Sequence, residues 1–227
     1  MDIDYKIVRS AKRKKLTITV ERDRSIIVHA PESASEAIVR QVVESKRQWL
    51  FSKLNHSQKY DDVPHPPGKE VVNGESALYL GREYRIEIAE TASGVIEFSQ
   101  RFSVPAVHQA KRREVLRDWY VARANERILP RVREHARKLG VKFATASIVD
   151  NLYRWGSCTV NDNVSFNWRL IKAPIFVIDY VIVHELAHLL ENNHTPRFWS
   201  IVRATSPAME RAKNWLKEHG QLLEQEL

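Results

Sequence analysis

The chain has 227 residues, 43% of them hydrophobic and 28% charged, which excludes a disordered chain and leaves length for one large core or two small ones. Its single cysteine, Cys158, excludes an intrachain disulfide and a cysteine-rich zinc site. A formal net charge of +8 draws attention to anionic partners, nucleic acid included, although a solvated basic face is the commoner origin of such a balance.

The start, Met1-Asp2-Ile3-Asp4, is acidic and polar, and no apolar run reaches about 18 residues, so a cytoplasmic protein without a membrane partner is expected. β-Branched runs at 16–20 and 25–29, separated by Glu21-Arg22-Asp23-Arg24, form a hairpin pattern. The basic cluster Lys12-Arg13-Lys14-Lys15 fits a charged strand edge or solvated loop better than a phosphate contact. Pro31 stops the strand, and residues 33–54 space Ile38, Val42, Val43, Trp49 and Leu50 as on a helix. The apolar pattern lapses over 55–68, where Val63-Pro64-His65-Pro66-Pro67 predicts an extended linker. Strands follow at 77–80, 84–88, 95–98 and 101–104, with a turn at Gly81-Arg82. Residues 1–105 are therefore expected to form a β-rich N-terminal region with one helix, and 106–227 a metal-dependent hydrolase domain.

From 107 to 139 the pattern is one long helix, or two divided at Pro130, anchored by residues such as Leu116, Trp119, Ile128 and Val132. Lys111, Arg112, Arg113, Arg117, Arg123, Arg127, Arg131, Arg133, Arg137 and Lys138 make it the strongest basic stripe in the chain, a candidate anion-binding surface. Two further runs, to Thr159 and over 164–170, flank the turn Asn161-Asp162-Asn163 as a hairpin.

The run 175–190 has neither Gly nor Pro and is apolar apart from a few polar residues, so it predicts a buried helix beginning near Pro174. His184 and His188 are four apart and lie one turn above the other on one face, within reach of one metal ion. Glu185 completes the order His-Glu-x-x-His, in which two histidines hold zinc and the glutamate is a general base. His194 follows in a short segment where Asn192 or Asn193 is expected to end the helix in the left-handed conformation, and where Thr195-Pro196 is an N-cap followed by a first helical proline. A turn lets its ring point back as a third ligand, and three histidines leave the fourth position of Zn²⁺ open, as in catalytic sites.

Arg154-Trp155-Gly156-Ser157-Cys158, Asn167-Trp168-Arg169-Leu170, Ala173-Pro174, the segment from Asp179 to His188, Asn193-His194 and Phe198-Trp199 together resemble the YgjP-like metallopeptidase family, most densely over about 145–200. The resemblance implies an α+β, zincin-like domain with a sheet whose edge strand runs along the cleft, and a distant similarity to SprT-like proteases acting on proteins attached to DNA. The histidine spacing matches the metzincin pattern, but Glu191 stands where metzincins place Gly, which argues against their turn; Met209 is read as an ordinary apolar helix residue.

The leading expectation is a zinc-dependent metallopeptidase acting on a peptide or protein, with Glu185 catalytic and His184, His188 and His194 as ligands. Arg154, Trp155, Gly156, Ser157, Asn167, Arg169 and Tyr180 are the candidate substrate-binding residues, Gly156 permitting close backbone approach. A second reading is a nucleoside triphosphate pyrophosphohydrolase, an activity also linked with YgjP-like proteins, in which the basic stripe would hold phosphates; there is no Gly-rich phosphate loop. A third is a nucleic-acid-binding module with structural zinc, against which the unligated glutamate counts.

Overall fold

The computed structural model describes residues 3–11, 13, 15–20, 25–54, 70–90, 94–107, 109–151 and 154–225. Lys12 and Lys14, the turn at 21–24 and the linker expected over 55–68 lie outside the described residues. The chain divides into two units, Met1–Pro64 and His65–Leu227.

In the first unit, β1 (Lys6–Ser10), β2 (Thr17–Val20) and β3 (Ile26–Pro31) form a sheet in the order β1-β3-β2. β2 and β3 pair antiparallel, Thr17 opposite His29 and Val20 opposite Ile26, as the hairpin pattern predicts; β1 adds in parallel on the other side of β3. Strict alternation turns Ile26, Val28 and Ala30 inward, against Val39, Val43 and Leu50 of the helices α1 (Glu36–Ser45) and α2 (Arg47–Leu54). Ser35 caps α1, its hydroxyl accepting from the Ile38 N–H at 3.4 Å. Ile38 and Trp49, expected on the inward face, are 50% and 41% exposed. The inward face of α1 is instead defined by Val39 and Val43, one turn apart, and the break at Lys46 prevents a single helical period from running through both helices.

The second unit begins with β4 (Ser76–Tyr79), β5 (Arg82–Ala89), β6 (Glu97–Phe98) and β7 (Phe102–Pro105), in the order β4-β5-β7-β6. Next come α3 (Gln109–Leu139), then β8 (Thr145–Val149), β9 (Gly156–Cys158) and β10 (Asn163–Asn167), in the order β8-β10-β9. A 3-10 turn, Trp168–Lys172, leads into α4 (Ile175–Ala187), followed by α5 (Pro196–Thr205) and α6 (Met209–Glu224). The fold is α+β. Residues 76–105, grouped from sequence with the N-terminal region, share the core of this unit: Tyr79, Ile86, Phe102 and Val104 join Leu116, Tyr120, Ile128, Ile178, Ile182 and Phe198.

α3 is one helix with Pro130 inside it. Leu116, Tyr120, Ala124, Ile128, Val132 and Ala136, each one turn from the next, are its buried stripe. Several of its cations are engaged: Arg117 with Asp150 at 2.7 Å, Arg123 with Glu126 at 2.6 Å, Lys138 with Glu134 at 2.7 Å, and Arg131 with Asp179 of α4 at 2.6 Å. No described helix is long and apolar enough to cross a membrane.

Two connections fix the start of α4. The two-residue loop of the β4–β5 hairpin, Leu80 (φ 50°) and Gly81 (φ 80°), donates backbone N–H bonds to Ile171 O at 3.0 Å and Lys172 O at 2.8 Å. A Cβ at Gly81 would lie 2.5 Å from Pro174 Cγ, so glycine is required there both for its left-handed backbone and for space. The strand expected over 164–170 stops at Asn167, whose side-chain oxygen accepts from the Arg169 N–H at 3.0 Å and caps the 3-10 turn.

Candidate metal centre

α4 is buried around nearly its whole circumference, from Val177 to Ala187, and packs on α3, α5, α6 and β9. His184 and His188 are half-buried, one turn apart, with ring centroids at 5.2 Å. The helix closes without a left-handed residue: neither Asn192 nor Asn193 has positive φ. Bonds from Leu189 N–H to Leu186 O and from Leu190 N–H to Ala187 O tighten the last turn and satisfy carbonyls that a left-handed cap would otherwise meet. The chain then reverses, and Thr195 caps α5 by accepting from Phe198 N–H at 3.3 Å, with Pro196 at its first turn.

This reversal brings exposed His194 back to the helix. Its Nε2 is 3.1 Å from His184 Nε2, and one ligand atom from each of His184, His188 and His194 lies within 4.8 Å of the others. Phe198, fully buried, sits beneath all three rings at centroid distances of 5.0, 4.6 and 4.7 Å, while Trp199 stacks on His194 at 5.5 Å. His188 Nδ1 faces the Glu191 carbonyl at 3.3 Å, the kind of contact that orients a ligating imidazole. Burial, with the neighbouring His188, His194 and Lys213 charges, pushes the His184 pKa down to about 3, so its ring is neutral and keeps a lone pair for a metal. The donor set is therefore fit for a metal ion.

Glu185 is 8% exposed and turns toward β9. Burial lifts its pKa to about 7, against the opposing charge of Arg154. A Cβ at Gly156 would lie 2.6 Å from Glu185 Cγ and 2.9 Å from Oε1. At Gly156, where the sequence reading expects close backbone approach by an extended peptide, the group that lies against the glycine is the Glu185 side chain.

The remaining candidates fall into two groups. Tyr180 lies one turn before His184 on the same face, its ring 6.0 Å from that imidazole, and burial with the Glu210 and Glu185 charges pushes its pKa up to about 12. Arg154 is exposed beside Glu185, and Trp155, half-buried, packs on the core. Ser157 Oγ meets Ser165 Oγ at 2.8 Å across the strand pair. Asn167 and Arg169 have their polar groups committed elsewhere. Asn167 Nδ2 donates to the Asn151 carbonyl and, at 3.2 Å, to that of Arg154; Arg169 pairs with Asp150 and lies over the Trp168 ring at 4.5 Å. Met209 is a buried core residue at the start of α6, as expected.

Sequence reasoning missed the support of α4 from α3. Asp179 receives both Arg131 Nε and Arg131 Nη2 at 2.6 Å and faces His135 Nε2 at 3.0 Å. Burial raises the Asp179 carboxyl, but the His135 and Arg131 contacts outweigh it and hold it below the ordinary carboxylate range. The available signal was an aspartate on an otherwise apolar helix, which requires a partner.

Metal-dependent hydrolysis is the class of chemistry that convergent imidazoles beside a buried carboxylate support. A family model described as YgjP-like, metallopeptidase domain, matches residues 14–219, and the chain belongs to that family. No curated protein sequence matches it. Among solved structures, the crystal structure of the metallopeptidase zymogen of Pyrococcus abyssi abylysin is similar over 44% of this chain and 98% of that one, at 18% identity and a TM-score of 0.38.

Proposed function

We propose that the chain is a zinc-dependent peptidase in which His184, His188 and His194 hold zinc and Glu185 is the general base. The observation that carries this reading is the convergence of three imidazoles within 4.8 Å, with Glu185 on the adjoining side of the same helix. Three imidazoles without a thiolate suit Zn²⁺ in an open, catalytic site. Zinc there would supply Lewis acidity, lowering the pKa of water toward about 7 and polarising the scissile carbonyl. Glu185 takes a proton from the attacking water and delivers it to the leaving amine. Burial raises the Glu185 pKa and a bound Zn²⁺ would oppose that rise, which keeps the carboxylate available to take the proton near neutral pH.

An extended peptide suits the edge strand. Among the described residues β9 has no strand neighbour on the side away from β10, so its backbone can pair with substrate main chain. Tyr180, kept protonated by burial and on the ligand face, is our candidate donor to the developing oxyanion, with Arg154 as a second cation at the cleft. The nucleotide and nucleic-acid alternatives drew on the α3 stripe, where Arg117, Arg123, Arg131 and Lys138 are already paired with carboxylates.

The test is a substrate panel for the zinc-loaded protein: a quenched-fluorescent peptide library beside a set of nucleoside triphosphates. Cleavage of peptides without pyrophosphate release is expected. Pyrophosphate release with intact peptides would overturn the peptidase assignment.

A further inference from the structure

We infer that Gly156 is a positioning residue for Glu185, and that the edge strand β9 is the wall that fixes the direction of this carboxylate. The inference rests on the reading of Glu185 as the general base. A Cβ at Gly156 would lie 2.6 Å from Glu185 Cγ, 2.9 Å from Oε1 and 3.0 Å from Cδ, so even a methyl group overlaps the side chain along most of its length. Gly156 does not have a left-handed backbone, so glycine is required here for space alone. Among the described residues no hydrogen bond reaches the Glu185 carboxylate, and its orientation comes from packing.

The wall is itself held firmly. Gly156 pairs with Phe166, Ser157 with Ser165 and Cys158 with Val164. The strand entry is fixed where Trp155 O accepts from Asn167 N–H at 2.9 Å and Arg154 O accepts from Asn167 Nδ2 at 3.2 Å. Asn167, a substrate-binding candidate from sequence, thereby acts on Glu185 through the register of β9. Any side chain at 156 must move either this paired strand or the glutamate, and the glutamate, with no hydrogen bond to lose, moves first. A displacement of about 1 Å in a catalytic group is worth roughly 100-fold in rate.

The experiment is a Gly156→Ala, Glu185→Ala double-mutant cycle on the full zinc-loaded chain. Glu185→Ala removes all three atoms that the added methyl meets. Gly156→Ala is expected to lower Tm by several degrees in the wild-type background and by much less with Glu185→Ala. It should leave zinc affinity within about threefold while kcat for peptide cleavage falls about 100-fold and KM stays within about twofold. If Gly156→Ala does not fold, recovery of folding in the double variant supports the inference. An equal Tm loss in both backgrounds, failure of both to fold, lost zinc, or wild-type kcat would each overturn it. An active Glu185→Gln protein would remove the general-base reading, whereas the Tm coupling between 156 and 185 would still stand.

Discussion

The helices α3 and α4 pack against each other with opposite compositions. α3 is 31 residues long and charged over most of its surface, with one buried apolar stripe; α4 has 13 residues and is apolar nearly all round. On α4 Asp179 pairs with Arg131 and His135 and His184 lies against the other imidazoles, while Glu185 is held by packing against the glycine of β9. On α3 two of the described cations meet a carboxylate one turn away in solvent, Arg123 with Glu126 and Lys138 with Glu134. The difference follows from desolvation, because a polar group on a buried helix is costly unless something compensates it, whereas a charge on a solvated helix costs little. A polar residue is informative in proportion to the burial of the element that carries it.

That contrast is broken most strongly at a proposed ligand. His184→Ala should lower zinc affinity by at least about 100-fold, more than the loss of an orienting contact does, as measured by competition with a chromophoric chelator. Unchanged affinity would mean that α4 does not carry the metal site. Asp179→Asn comes next. It leaves the Arg131 guanidinium without its carboxylate, and because the two side chains are 32% and 23% exposed, the loss should be about 2 kcal/mol, below the roughly 3–5 kcal/mol of a fully buried pair. Urea unfolding at neutral pH measures it.

The same pair gives a pH signature. The folded Asp179 pKa is depressed, so its contribution is fully present above the unfolded value of about 3.9 and is lost as pH falls through the lower folded value. The stability gap between wild type and Asp179→Asn should therefore narrow in that acid range; a gap that widens there would contradict the sign. The smallest effect belongs to α3. Lys138→Ala removes a solvent-exposed pair at i,i+4 spacing and should leave Tm unchanged within error by calorimetry.

The same contrast explains what was legible in the sequence. His184, Glu185 and His188 stood out because they interrupt an apolar run at helical spacing, and His194 because a capped turn follows. The β2–β3 and β9–β10 hairpins were legible from alternating strands around polar turns. Arg131 was not distinguishable from its neighbours in the basic stripe, since its partner is 48 residues away and no local pattern encodes that contact. Lys172 looks like a surface residue but is buried, with Nζ 5.2 Å from the Trp168 ring and donating to Leu223 O at 3.2 Å, a site created only when α6 packs. Ile38 and Trp49 were misplaced because the break at Lys46 restarts the helical phase. The partner of Gly156 was hidden for a related reason: a glycine shows that something comes close without showing what.

The central claim is a division of labour on α4, in which the imidazoles hold the metal and Glu185 moves the proton. It is tested most directly by loading Glu185→Gln with zinc, measuring bound metal by elemental analysis, and assaying peptide hydrolysis on the same sample beside wild type. Full zinc occupancy with activity reduced at least about 100-fold is the expected result. Hydrolysis at the wild-type rate by the zinc-loaded variant would contradict it.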